Sequence, residues 1–129
     1  MAYIFYNPNP SNQRVGDCAV RAVSKVLGKD WDDVYISLAA EGLFYHDMPS
    51  SDYVWGMYLR SYGFEQRVIP STCPSCTTVK DFATDHPTGR YAVKTQNHVV
   101  AVVDGNYYDS FDSGNEIILF YWEGLNDGL

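Results

Sequence analysis

The feature that most constrains the fold is a change of hydrophobic periodicity near residue 64. Before that point, apolar residues recur at helical spacing in three segments, and a glycine follows each segment. Serine or aspartate precedes each segment, as is typical of helix N-caps. The sequence therefore predicts three helices, over residues 17–27, 31–41 and 51–62, which end at Gly28, Gly42 and Gly63.

The second half of the chain is instead rich in β-branched and aromatic residues. After a short helix at 77–89, ended by Pro87, the Asp-Gly pair at 104–105 is the strongest hairpin signal. Helices first and strands second indicate an α+β fold, a single domain over residues 1–129 with its helices on one side of a C-terminal antiparallel sheet. Strands are predicted at 64–69, 90–95, 98–103, 106–111 and 116–123, and a further short apolar segment lies at 3–6.

The net charge of −7, with no cluster of Lys or Arg, argues against a nucleic-acid partner, because such a partner requires a basic face. No apolar run approaches the roughly 18 residues of a membrane span, and the N-terminus lacks a signal-peptide pattern. We therefore expect a cytoplasmic protein that binds neither nucleic acid nor membranes, with its three cysteines reduced. These features leave the oligomeric state open.

Cys18 falls in the first turn of the first predicted helix. There the unpaired N–H groups and the positive end of the helix dipole stabilise a thiolate, although a small buried core residue is the alternative reading. A nucleophilic cysteine needs a histidine base. Of the three histidines, His46 and His86 fall in a loop and at a helix end. His98 opens a predicted strand, from which its ring can reach the end of the sheet.

The turn at 104–105 decides which carboxylate accompanies His98. A two-residue turn places Asp109 on the same face as His98, one diagonal step away. A three-residue loop would shift the register and place Asp112 opposite His98. The Asp-Gly pair favours the two-residue turn, and so the sequence predicts Cys18, His98 and Asp109 as nucleophile, base and orienting carboxylate.

The order of these residues resembles that of the papain-like cysteine peptidase superfamily. Papain-type enzymes carry Asn-Ser-Trp on the strand after the histidine, and Asp109-Ser110-Phe111 is similar in pattern. "GDCAVRAVSKVLGKDWDDVY" and "HVVAVVDGNYYDSFDSG" are also similar to small phage and prophage proteins, grouped with the bacteriocin-processing peptidase-like branch. The shorter pattern DC-x-x-RA resembles part of a motif of ovarian-tumour-type deubiquitinases. The resemblance extends over residues 14–123.

The resemblance implies a papain-like fold and a cysteine peptidase that cleaves a peptide or isopeptide bond in a peptide or protein substrate, without a cofactor. Cys18 would attack the carbonyl, His98 would transfer the proton, and Asp109 would hold the imidazole. If the protein is phage-encoded, the compartment is the host cytoplasm. The superfamily usually has a glutamine six positions before the nucleophile, but Asn12 stands there and Gln13 follows it. Either amide could complete the oxyanion hole with the Cys18 N–H.

The two remaining cysteines, Cys73 and Cys76, form the motif CPSC in a predicted loop. A zinc site needs a second pair of ligands, which the sequence lacks, so we expect no metal and a reduced, incidental pair. A disulfide or an adventitious metal is the next reading. For the whole chain, two other functions compete with the peptidase: a non-catalytic phage-type binding or inhibitory protein on the same scaffold, and a Cys-His acyltransferase or cell-wall amidase.

Overall fold

The computed structural model describes residues 2–69 and 76–124. Within these ranges, no helix is long and apolar enough to cross a membrane. The described residues form four helices and six strands: β1 (Tyr3–Phe5), α1 (Cys18–Leu27), α2 (Trp31–Tyr45), α3 (Asp52–Arg60), β2 (Phe64–Val68), α4 (Val79–Asp85), β3 (Arg90–Lys94), β4 (Val99–Val103), β5 (Asn106–Asp109) and β6 (Phe120–Gly124).

The strands form one sheet, in the order β1-β5-β4-β3-β6-β2, with an apolar core on each face. Side chains alternate between the two faces, as β4 illustrates. Val99 and Ala101 pack in a cluster with residues of α1, α2 and α3. Val100 and Val102 pack in a second cluster with residues of α4. The sheet is therefore the middle of three layers.

The α+β class is confirmed, but the predicted arrangement is wrong in two respects. The sheet is mixed, since β1 pairs in parallel with β5, whereas the other paired strands are antiparallel. The helices also lie on both faces, because α4 covers the face opposite α1. The physical reason is visible in the run "VVAVV" of β4, which is apolar on both sides and must be covered on both.

The predicted end of the second helix is also wrong. Gly42 lies inside α2, which continues to Tyr45 and ends at His46 in the left-handed conformation, with φ 55°. A Cβ atom at Gly42 would lie 2.7 Å from the carbonyl oxygen of Asp47. Glycine is therefore required because the chain folds back closely over this turn, and it does not end the helix.

The last strand begins later than predicted, at Phe120 instead of residue 116. The segment before it bonds to the start of α4: the Val79 N–H donates to the Glu116 carbonyl, at 2.9 Å, and the Ile118 N–H donates to the Thr77 carbonyl, at 3.0 Å. The apolar run from residue 117 is therefore divided: its first part bonds to the segment that starts α4, and the part from Phe120 pairs with β2 and β3 in the sheet. Composition alone does not reveal that division.

The expectation of reduced cysteines is wrong for Cys76, which is disulfide-bonded, whereas Cys18 is a free thiol. Cys73 lies outside the described residues. The prediction of reduced cysteines came from the expected cytoplasmic compartment, which describes cysteines on average and does not determine the state of an individual cysteine.

Candidate active site

Three segments bring Cys18, His98 and Asp109 together at one end of the sheet. Cys18 is the first residue of α1, which packs against β4. His98 directly precedes β4, and Asp109 is the last residue of β5. Because β4 and β5 are antiparallel, the start of one lies beside the end of the other. Cys18 and His98 line a cavity of about 620 Å³, and Asp109 is fully buried.

The hairpin has the two-residue turn that the Asp-Gly pair predicts. Val103 pairs with Asn106, and Asp104 has φ 49°, in the left-handed region. In this register, His98 Nε2 lies 2.6 Å from Asp109 Oδ2. The alternative carboxylate, Asp112, instead accepts a hydrogen bond from the Tyr107 hydroxyl at 2.6 Å. The structure thus brings Asp109, and not Asp112, to His98.

Four donors surround the Asp109 carboxylate. Oδ2 faces His98 and accepts from the Ser113 hydroxyl at 2.6 Å. Oδ1 accepts from Arg21 Nη2 at 2.9 Å and from the Ser110 backbone N–H at 2.8 Å. Every lone-pair direction of a buried carboxylate is thereby engaged, which offsets the cost of removing its charge from water. The carboxylate is held in one orientation, with one oxygen directed to His98.

Arg21 links Asp109 to a second buried carboxylate. Arg21 Nη1 pairs with Asp17 Oδ1, and Asp17 Oδ2 accepts from the Trp31 indole N–H at 2.8 Å. With Cys18 as thiolate and His98 protonated, the charges then alternate in sign from the thiol through His98, Asp109 and Arg21 to Asp17. Each charge in this row is next to a charge of opposite sign, an arrangement that favours the ionised forms in a poorly solvated place.

This surrounding charge changes the ionisation of His98 and Asp109. Burial alone would lower the pKa of His98, but its hydrogen bonds to Asp109 and Cys18 outweigh burial and raise that pKa to about 9. Burial alone would raise the pKa of Asp109, but the bonds from His98 and Ser113 and the charge of Arg21 lower it. At neutral pH the pair is therefore imidazolium and carboxylate.

The thiol of Cys18 is half-buried and interacts with both His98 and the backbone of Val99. Burial raises its pKa, but the hydrogen bonds from His98 and the Val99 N–H, together with the charges of His98 and Arg21, lower it below its ordinary value of 9.0. The position at the start of α1 acts in the same direction, since the helix dipole favours an anion there. The geometry therefore supports a thiolate–imidazolium pair.

The start of α1 is left open toward this cavity. Asp17 occupies the N-cap position, but within the described chain its side chain makes no capping hydrogen bond, because both its oxygens bind Arg21 and Trp31. The first N–H groups of a helix have no partner within the helix itself. The Cys18 N–H is one of these groups, and Asp17, Cys18 and Arg21 all line the cavity.

The two amides expected to complete the oxyanion hole lie elsewhere. Gln13 and Asn12 are exposed, and neither is among the described residues that line the cavity of Cys18. Asn12 sits in a tight turn with φ 60°, and the Gln13 carbonyl accepts from the Asn7 side chain at 3.2 Å. The conformation of this loop therefore places both residues outside the cavity, although their spacing from Cys18 predicted an oxyanion-hole role. Gln96 and Asn97 supply side-chain amides to the cavity wall instead.

Sequence reasoning missed Ser113 and the pairing role of Asp17. Ser113 reaches Asp109 because the chain turns at residues 110–114, and a strand-based register cannot anticipate that turn. Asp17 resembles a helix cap in sequence, yet it pairs with Arg21. Phe111 was included in the papain-like triplet, and its ring lies 4.9 Å from the His98 ring, centroid to centroid. It covers one side of the imidazole.

The other two histidines lie outside this cluster. His46 is exposed at the end of α2, and His86 Nδ1 lies 2.7 Å from the Phe82 carbonyl at the end of α4. Comparisons of the chain with models of known protein families, with curated proteins and with solved structures gave no match.

Proposed function

We propose that the protein is a cysteine-dependent hydrolase that cleaves a peptide or isopeptide bond through an acyl-enzyme at Cys18. The observation that carries this proposal is the row Cys18–His98–Asp109 beside a cavity, with the carboxylate held 2.6 Å from His98 Nε2. Nucleophile, base and orienting group stand in the relation that thiol catalysis requires.

In the first half of the reaction, the Cys18 thiolate attacks the substrate carbonyl carbon. Negative charge develops on the carbonyl oxygen, and the Cys18 N–H at the open start of α1 donates to it. The C–N bond then breaks, and protonated His98 gives its proton to the departing amine. A thioester at Cys18 and a neutral His98 remain.

In the second half, neutral His98 removes a proton from a water molecule that attacks the thioester. The C–S bond breaks, the acid product leaves, and the Cys18 thiolate and the His98 imidazolium are restored. Asp109 remains ionised throughout and stabilises the imidazolium that forms. Phe111, over the His98 ring, limits the access of water to the His98–Asp109 bond.

The same features support a papain-like fold. The nucleophile begins a helix that packs on the sheet, the base precedes an antiparallel strand, and the carboxylate ends the following strand. The chain order Cys, His, Asp agrees with that superfamily. A peptide or protein is the substrate class, and a phage-type origin stands on the sequence resemblance alone.

The acyl-enzyme can be tested with p-nitrophenyl acetate, an activated ester that needs no specificity pocket. We expect a burst of one acyl group per protein, located on Cys18 by peptide mapping, followed by slower turnover. Cys18→Ala should abolish the burst and His98→Asn should reduce it by about 100-fold or more. His46→Asn, at an exposed histidine, is the matched control. A burst that persists in Cys18→Ala would refute the proposal.

A non-catalytic binding protein on this scaffold is the second candidate. It is favoured by the position of Gln13 and Asn12, because both residues expected to complete the oxyanion hole are exposed and are not among the described residues that line the cavity of Cys18. The two candidates differ in thiol chemistry, because a binding protein needs no reactive Cys18. The binding protein would be favoured if the wild-type protein forms no acyl-enzyme and if iodoacetamide alkylates its Cys18 no faster than a small thiol. An acyltransferase would instead form the acyl-enzyme and pass the acyl group to an added amine.

A further inference from the structure

A second cavity, of about 310 Å³, adjoins the cavity of Cys18. The two cavities share the lining residues Val15, Gly16, Asp17 and Ser50 and therefore lie side by side. This volume is at the small end of ligand pockets, which suits one side chain and not a whole small molecule.

The walls of this second cavity are largely apolar. Ala19 and Val20 of α1 form one part, and the rings of Trp31 and Tyr35 stack at 5.2 Å along α2. Met48, from the loop after α2, completes the rim. Tyr35 and Met48 are 54% and 68% exposed, a large apolar area for two neighbouring side chains of a water-facing surface.

The carboxylate and the indole N–H in these walls are already paired within the protein. Among the described lining residues, Asp17 is the one that carries a charge, and its carboxylate is bonded to Arg21 and to the Trp31 indole N–H. The indole thereby presents its ring and not a free donor. A charged side chain placed there would lose water and gain no partner, whereas an apolar side chain would cover exposed rings.

We propose that this cavity, here called the apolar subsite, is a specificity pocket that takes one large apolar side chain of the substrate, next to or one residue from the scissile bond. The inference rests on the proposed function, since it names the substrate class of the same site. Substrate is the occupant because the subsite is continuous with the cavity of the reacting thiol. Tyr35 and Met48 are its specificity-determining residues.

The test uses chloromethyl ketones of the forms acetyl-Xaa-Gly and acetyl-Gly-Xaa, in which Xaa is Leu, Phe, Ser or Asp. Their second-order rates of Cys18 alkylation are divided by the rate with iodoacetamide, which has no side chain to recognise. In one of the two positions, Leu or Phe should react at least about ten-fold faster than Ser, and Asp should react slowest.

Met48→Gln and Tyr35→Ala should each reduce that preference several-fold and leave the iodoacetamide rate unchanged. Leu43→Gln is the matched control, because Leu43 is an apolar residue of α2 that is 74% exposed and is not among the described residues that line either cavity. A flat series, or an equal loss in Leu43→Gln, would overturn the apolar subsite and leave the hydrolase proposal standing. A Cys18 inert even to iodoacetamide would refute the hydrolase proposal itself.

Discussion

Replacing Asp109 by asparagine should remove the charge that keeps His98 protonated. The substitution keeps the shape of the side chain and an oxygen for the bonds from Arg21 and Ser110. It replaces the carboxylate oxygen that lies 2.6 Å from His98 Nε2 by a neutral group. The change is therefore electrostatic, in a place where Asp109 is fully buried and poorly screened.

The magnitude follows from the raised pKa of His98. A pKa raised from 6.5 to about 9 corresponds to roughly 3 kcal/mol in favour of the imidazolium. Without the carboxylate, burial acts against the charged ring and the bond to Cys18 alone opposes it. The pKa of His98 should then fall to about 6.5 or below. At pH values between the lowered pKa of the variant and about 9, the His98 ring is protonated in wild type and neutral in Asp109→Asn.

Cys18 should respond in the opposite direction. Its pKa is lowered by His98, so a neutral ring raises the pKa of the thiol toward its ordinary value of 9.0 or above. NMR titration of the His98 ring gives the first shift, and iodoacetamide rates between about pH 5 and 10 give the second. At pH 7, the alkylation rate of Asp109→Asn should be lower by about ten-fold or more.

Asp112→Asn is the control, because Asp112 lies in the same turn region but bonds to Tyr107. It should leave both titrations as in wild type. The reasoning is refuted if the His98 pKa in folded Asp109→Asn stays within about half a unit of wild type. It is equally refuted if the two alkylation profiles coincide.

Three further substitutions, with one control, test contacts that stabilise the fold. Arg21→Met should destabilise the fold by about 3–5 kcal/mol in urea unfolding, because it removes the cation that two buried carboxylates share. Arg60→Met, the control at an exposed helix end, should cost under about 0.5 kcal/mol, and equal losses would contradict the buried role of Arg21. Gly56→Ala should destabilise by about 1–3 kcal/mol despite better helix propensity, since its Cβ would lie 2.8 Å from Trp122, and a gain in melting temperature would refute this. Gly105→Ala, at φ 82°, should lower the free energy of unfolding by about 1–2 kcal/mol, and no change would mean that the turn adapts.

The sequence predicted best the parts of the site that depend on local geometry. The Asp-Gly pair determines the two-residue turn and the register of the hairpin, and through them the meeting of Asp109 with His98. The starts of α1, α2 and α3 also follow from local signals, whereas α2 continues through Gly42 and α3 ends at Arg60, before Gly63. These features need few residues and short spacings.

Sequence patterns did not predict which partner each buried group would take. Asp17 has the sequence of a capping residue, yet its carboxylate binds the side chain of Arg21, one turn along the same helix, and the Trp31 indole N–H. The parallel pairing of β1 with β5 joins residues about a hundred positions apart, and no short motif encodes it. The papain-like spacing pointed to Gln13 or Asn12, but the loop conformation places both outside the cavity.

The hairpin also has a consequence for the order in which the site forms. His98 and Asp109 are joined by a short local hairpin, an element that forms within about microseconds once its strands collapse. Cys18 lies 80 positions before His98, so the contact between them costs more chain entropy, and we expect it to form later, when α1 docks on the sheet. Until then the thiol has the ordinary pKa of an unfolded chain. In a nascent or misfolded copy we therefore expect an unactivated thiol at Cys18. High reactivity of Cys18 toward electrophiles would then report that the chain has folded.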